Sequence, residues 1–107
     1  MSVEGRIRDM IDQNHVMLFM KGTPEQPMCG FSKTVIDILN NMGTEFGSAN
    51  VLDDMADSEL REGIKKFSDW PTVPQLYVDG EFIGGCDIAI EMFQSGELET
   101  LVTAKKE

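Results

Sequence analysis

The apolar positions of this chain change period along its length, and the changes mark out its elements. Val3, Ile7, Met10 and Ile11 recur at helical spacing and predict an amphipathic helix over residues 3–13 that Asn14 ends. Val16, Met17, Leu18, Phe19 and Met20 follow without a polar interruption. A run this short cannot fill a buried helix, so it predicts a central strand covered on both faces. Gly22, Pro24 and Pro27 then impose a loop over residues 22–28. Phe31, Val35, Ile38, Leu39 and Met42 restore the helical period over residues 30–43.

A weaker strand is expected within residues 46–52, ending at Val51, and a third helix carries Leu60, Ile64 and Phe67, with Asp57 and Ser58 as cap candidates. Residues 76–78 and 82–83 flank Asp79 and Gly80, a pair suited to the positive φ angles of a two-residue hairpin turn. Ile88 to Phe93 and Leu98 to Val102 close the chain in helices separated near Gly96. This order predicts an α/β fold, one domain over residues 1–107, with a mixed four-stranded sheet flanked by helices. Sites in such sheets gather where the C-terminal end of a strand meets the following helix. Lys21 and Cys29 both fall there.

Charge narrows the partners. Nineteen acidic residues against nine basic ones give a net charge of −10, which should repel nucleic-acid backbones and anionic lipid. No stretch approaches the roughly 18 consecutive apolar residues that a membrane helix needs, and Glu4, Arg6, Arg8 and Asp9 occupy the place of a signal peptide's apolar run. A soluble, unexported protein is therefore expected. Two cysteines and His15 cannot complete a four-ligand structural zinc site or staple a secreted scaffold, which leaves thiol chemistry in a reducing compartment.

Cys29 is the candidate for that chemistry. At the start of a helix it meets unpaired amides, the positive end of the helix dipole and the ammonium of Lys21, all favouring thiolate, which serves as nucleophile or metal ligand. An inert buried cysteine is the competing reading, opposed by the polar, proline-bearing loop before it. Ser32, three residues on, cannot resolve a mixed disulfide, so any disulfide of Cys29 must be finished by an external thiol. Taken alone, that serine is equally a helix cap.

MKGTPEQPMCGFS, WPTVPQLYVDGEFIGGCD and the spacing between them resemble the monothiol, CGFS-type glutaredoxins, from about Glu4 to Leu101. The resemblance implies a thioredoxin-like fold, glutathione binding and the carriage of 2Fe-2S clusters. It implies that Cys29 is the active cysteine and an iron ligand, and that Lys21 and Arg61 hold the glycine-end carboxylate of glutathione, as cationic groups suited to an anion. Val73 and Pro74 match the segment whose backbone pairs with the cysteinyl part of glutathione, across a cis bond before Pro74, and Thr72 reads equally as a hydroxyl contact or as a residue chosen for β-propensity. Gly85, Cys86 and Asp87 match a turn in which a helix N-terminus receives the γ-glutamyl carboxylate while Asp87 faces its ammonium. Without the resemblance, Asp87 reads as a helix N-cap and Pro74 as an ordinary strand-start proline. Cys86 reads as a contact residue, with a role as partner thiol for Cys29 as the alternative. The methionines read as core fillers, His15 as solvated, Trp70 as packing beside the site, and the carboxylates of residues 53–57 and 97–99 as solvated surface.

Two functions follow from the resemblance. In the first, two protomers each give one Cys29 thiolate and two glutathiones give one each, completing four ligands around a 2Fe-2S cluster that is passed to iron-sulfur acceptor apoproteins. A homodimer when cluster-bound and a BolA-like partner are the implied assemblies, in the cytoplasm or, for a processed form, the mitochondrial matrix. The alternative is a glutathione-dependent thiol-disulfide oxidoreductase that removes glutathione from proteins. The loop over residues 22–28 bears on the choice, because its length suits the positioning of bound glutathione for iron. A purely structural module would leave Lys21, Cys29, Arg61 and Asp87 without a common purpose.

Overall fold

The computed structural model describes residues 2–52 and 58–103, and among them runs the order α1 (Val3–Gln13), β1 (Val16–Met20), α2 (Gly30–Asn41), β2 (Gly47–Asn50), α3 (Ser58–Ser68), β3 (Gln75–Val78), β4 (Glu81–Gly84), α4 (Cys86–Ser95) and α5 (Glu97–Thr103). The strands form one mixed sheet ordered β2-β1-β3-β4, with β1 and β2 parallel and the other neighbours antiparallel. The parallel pair requires a crossover, which α2 supplies. Asp57 and the acidic stretch over residues 53–57 lie outside the described residues.

The uninterrupted apolar run of β1 follows from its place inside the sheet. Val16, Leu18 and Met20 face one core with α2, α4 and α5, while Met17 and Phe19 face a second core with α1 and α3. Each residue of the strand is buried, so neither face admits a polar side chain. Deleting Phe19 to Ala would cost about 3–5 kcal/mol on this ground alone. β3 alternates likewise: Leu76 and Val78 join the first core and Tyr77 the second.

The ends of the elements have local causes. The Ser2 hydroxyl accepts from the Gly5 amide at 3.1 Å and opens α1; the Asn14 side chain donates to the Met10 carbonyl at 2.8 Å and closes it. Asp79 and Gly80 take φ of 54° and 80°, the paired positive angles of the hairpin turn. β2 is shorter than the expected 46–52, although the Val51 amide still bonds the Met20 carbonyl at 2.9 Å. His15 departs from its expected solvation. Its Nδ1 lies 2.7 Å from Asp79 Oδ1 and its Nε2 2.9 Å from the Val102 carbonyl, so it ties the hairpin turn and α5 to the start of β1. Among the described residues no helix is long and apolar enough to cross a membrane.

Candidate functional site

The loop after β1 turns back on itself. The amide of Met28 donates to the Lys21 carbonyl at 2.8 Å, Thr23 and Gln26 exchange backbone hydrogen bonds at 3.1 and 3.0 Å, and Gly22 bridges Pro27. Gly22 has φ of +97°, and a Cβ there would stand 2.5 Å from Gln26 O and Met28 N, so this turn admits only glycine. The Asn50 carboxamide oxygen, accepting from the amides of Gly22 and Leu52 at 2.9 Å each, fastens the loop to the end of β2. The result returns Cys29 to the end of β1 beside Lys21.

Cys29 is the N-cap of α2, with extended backbone angles. Ser32 therefore does not cap the helix, the reading its sequence position alone allows. Fully buried, its hydroxyl accepts from the Lys21 amide at 3.1 Å and so joins the strand end to the helix start. Burial pushes the Cys29 thiol up, but the amides of Ser32 and Phe31, the Lys21 ammonium and the Ser32 hydroxyl outweigh it, and the thiol titrates below its ordinary value. Cys86 goes the other way: burial, the Asp87 carboxylate and the charge on Cys29 raise it, against the Thr34 hydroxyl. The two thiols are thus displaced in opposite directions, Cys29 toward the thiolate and Cys86 toward the thiol.

Beside Cys29 opens a cavity of about 490 Å³, within the usual size of small-ligand sites. Lys21, Arg61, Thr72, Val73, Pro74, Gly85, Cys86 and Asp87 all line it, so four distant stretches of the sequence converge there. Cys29 is not among the lining residues; it lies close enough to Lys21 and Cys86 for their charges to couple. Residues of the 22–28 loop do not line the cavity either, so the loop places Cys29 and contributes no wall. Asp87 is not the N-cap of α4: that position is Gly85, and Asp87 sits exposed in the first turn. The Val73–Pro74 bond is cis.

Sequence reasoning missed Glu62, Lys65 and Phe31 in this wall and Gln75 in its support. Glu62 and Lys65 line the cavity on α3 beside Arg61, and Phe31 and Trp70 add apolar surface, exposed to 63% and 36%. Gln75 is wholly buried, and its amide nitrogen donates to the carbonyls of Trp70 and Thr72 at 3.2 and 3.1 Å while its oxygen accepts from Tyr77 at 3.2 Å. It thereby holds the segment over residues 70–74 against β3. A glutamine before an apolar triplet in a buried strand was the available signal, since a buried amide needs partners. Among the described residues no three His, Cys, Asp or Glu side chains converge to hold a metal ion.

The profile of the Glutaredoxin family matches residues 16–83. A probable monothiol glutaredoxin 2 of Rickettsia conorii is 59% identical over 98 residues, covering 92% of this chain and 89% of its own. Among solved structures, reduced poplar apo GrxS14 superposes with a TM-score of 0.81 at 46% identity, over 94% of this chain and 90% of its own. A buckwheat glutaredoxin-glutathione complex has the same fold, with a TM-score of 0.85 at 20% identity, covering 94% and 87%.

Proposed function

Since the chain belongs to the glutaredoxin family, in its monothiol group, we propose that it binds glutathione in the cavity beside Cys29 and carries a 2Fe-2S cluster for transfer to acceptor apoproteins. The observation that carries this reading is a single low-titrating thiol, Cys29, standing beside a cavity of opposed charges. The cluster is the cargo. It requires four thiolates, and one chain offers one, so the remaining ligands come from a second protomer and from two glutathiones. A site assembled in this way is shared and partly non-covalent, which suits release.

The chain's own groups fit that ligand by charge. Lys21 and Arg61 meet the glycine-end carboxylate, the first turn of α4 receives the γ-glutamyl carboxylate, and Asp87 faces the ammonium. Val73 and Pro74 present backbone to the cysteinyl part, with Thr72 beside them, and Gly85 and Cys86 close the wall. A BolA-like protein in place of one protomer, and a reducing compartment such as cytoplasm or mitochondrial matrix, belong to the same proposal.

Anaerobic reconstitution with iron, sulfide and glutathione, read by visible absorption, circular dichroism and sedimentation, tests it. The expected outcome is an apo monomer and a cluster-bound dimer that glutathione removal dissolves. Cys29→Ser should abolish the cluster and Cys86→Ser retain much of it. A stable cluster-bound monomer, or a dimer indifferent to glutathione, overturns the shared-cluster reading. It would promote the second function that the same low-titrating thiolate serves. There Cys29 attacks a glutathionylated protein, releases its thiol and is freed by a further glutathione as glutathione disulfide.

A further inference from the structure

The charged groups lining the cavity are not equally available. Among the described residues, the Lys21 ammonium and the Asp87 carboxylate have no ion-pair partner, whereas Arg61 and Lys65 share one. That partner is Glu62. Its Oε2 accepts a hydrogen bond from Lys65 Nζ at 3.3 Å and lies 3.8 Å from Arg61 Nε, and all three side chains line the cavity from α3. A carboxylate thus already stands against two of the three cations available to an entering anion.

We propose that Glu62 is a specificity-determining residue that competes with the ligand's terminal carboxylate for Arg61 and Lys65, and so keeps a bound anionic ligand exchangeable. The inference rests on the glutathione reading and deepens it. With Glu62 charged, the cavity wall carries three cations and two carboxylates, a net charge of one that matches a ligand with two carboxylates and one ammonium. Neutralising Glu62 leaves an excess positive charge at the end where the glycine carboxylate binds. The side chain is 62% exposed, so its influence is that of an exposed ion pair, worth about two- to fivefold in affinity. The consequence falls on release, since a ligand that must leave with its cluster benefits from a competitor waiting at its anchor.

The sign of the effect separates this role from a structural one. If Glu62 merely ordered Arg61 and Lys65 for binding, Glu62→Gln would weaken the ligand; as a competitor, its loss strengthens it. Calorimetry of wild type and Glu62→Gln, with glutathione and with glutathione amidated at the glycine carboxylate, reads the difference. The expected result is a gain of about two- to fivefold for glutathione, none for the amide, and a gain that shrinks as salt is raised. Wild-type binding that the variant leaves unchanged or weakens, or an equal gain for the amide, overturns the inference and leaves the glutathione reading standing. Absence of glutathione binding in both proteins overturns the reading and the inference together.

Discussion

Replacing Ser32 by Ala tests how the strand end and the activated cysteine are joined. Its hydroxyl is wholly buried and accepts from the Lys21 amide at 3.1 Å. Alanine leaves that amide without its partner, a loss of about 1–3 kcal/mol. For a chain of this length about 2 kcal/mol lowers Tm by about 8–16 °C. Calorimetric or dichroic melting in reductant reads the stability. Ser32→Cys, whose thiol is a weaker acceptor at the same place, should melt between the two.

The same substitution carries a second, independent signal. The Ser32 hydroxyl is one of the groups holding the Cys29 thiol below its ordinary value; the amides of Ser32 and Phe31 and the charge of Lys21 remain when it is gone. The thiolate therefore loses one stabilising contact, its pKa rises, and less thiolate is present at a given pH below it. Alkylation by iodoacetamide, followed at Cys29 as a function of pH, should move to higher pH and keep the same plateau. A variant that melts with wild type and alkylates along the same profile refutes the assignment. A Tm loss without a shifted profile would confine Ser32 to the fold.

Three further outcomes are expected. Substoichiometric iodoacetamide near neutral pH should modify Cys29 before Cys86, because the first thiol titrates low and the second high; peptide mass spectrometry showing Cys86 labelled first contradicts this. Lys21→Met and Asp87→Asn should each weaken glutathione about three- to tenfold, a charged contact reduced by exposure, and unchanged affinity by calorimetry in both removes the proposed pocket. His15→Ala should lower the stability read from urea unfolding by about 1–3 kcal/mol and loosen amide protection in α5, since both contacts that tie Asp79 and Val102 to it vanish; an unchanged urea midpoint denies it that role.

Periodicity made the elements legible because it reports burial, and burial in this fold is decided by the sheet. β1 could be read to the residue since both its faces are covered, and α1 ended at Asn14 as expected. β2 was overextended because Phe46 and Val51 are apolar for the sake of the two cores, while the strand itself is GSAN. Lys21 and Cys29 were legible as a pair because a strand end and a helix start are local features. Arg61, the segment over residues 72–74 and Gly85 to Asp87 could be assigned only through long co-linear motifs, since nothing in their own neighbourhoods says that the sheet brings them together. Gln75, Asn50 and Ser32 went unread as supports for a different reason. Pattern tells which side of an element a side chain takes, but the partner of its hydrogen bond is chosen by a chain segment far away.

The placement of charge also answers why so acidic a chain should present cations to a small anion. At physiological salt the field of a net charge of −10 is screened over about 8 Å, so the surface discourages large polyanions that must lie along it. A ligand small enough to enter the cavity is governed instead by Lys21, Arg61 and Lys65 at contact. Among the described residues Asp87, like Lys21, has no ion-pair partner, and in the proposed site it would meet a simple dianion with repulsion and a zwitterion's ammonium with attraction. Among the described residues, two charges of opposite sign without an ion-pair partner, with the low-titrating Cys29 beside them, suit the zwitterionic thiol peptide of the proposed function. Once Cys29 is held in a mixed disulfide, burial and the Asp87 carboxylate still hold the Cys86 thiol up, so it supplies less thiolate to displace the external thiol and closure of the two cysteines is slowed.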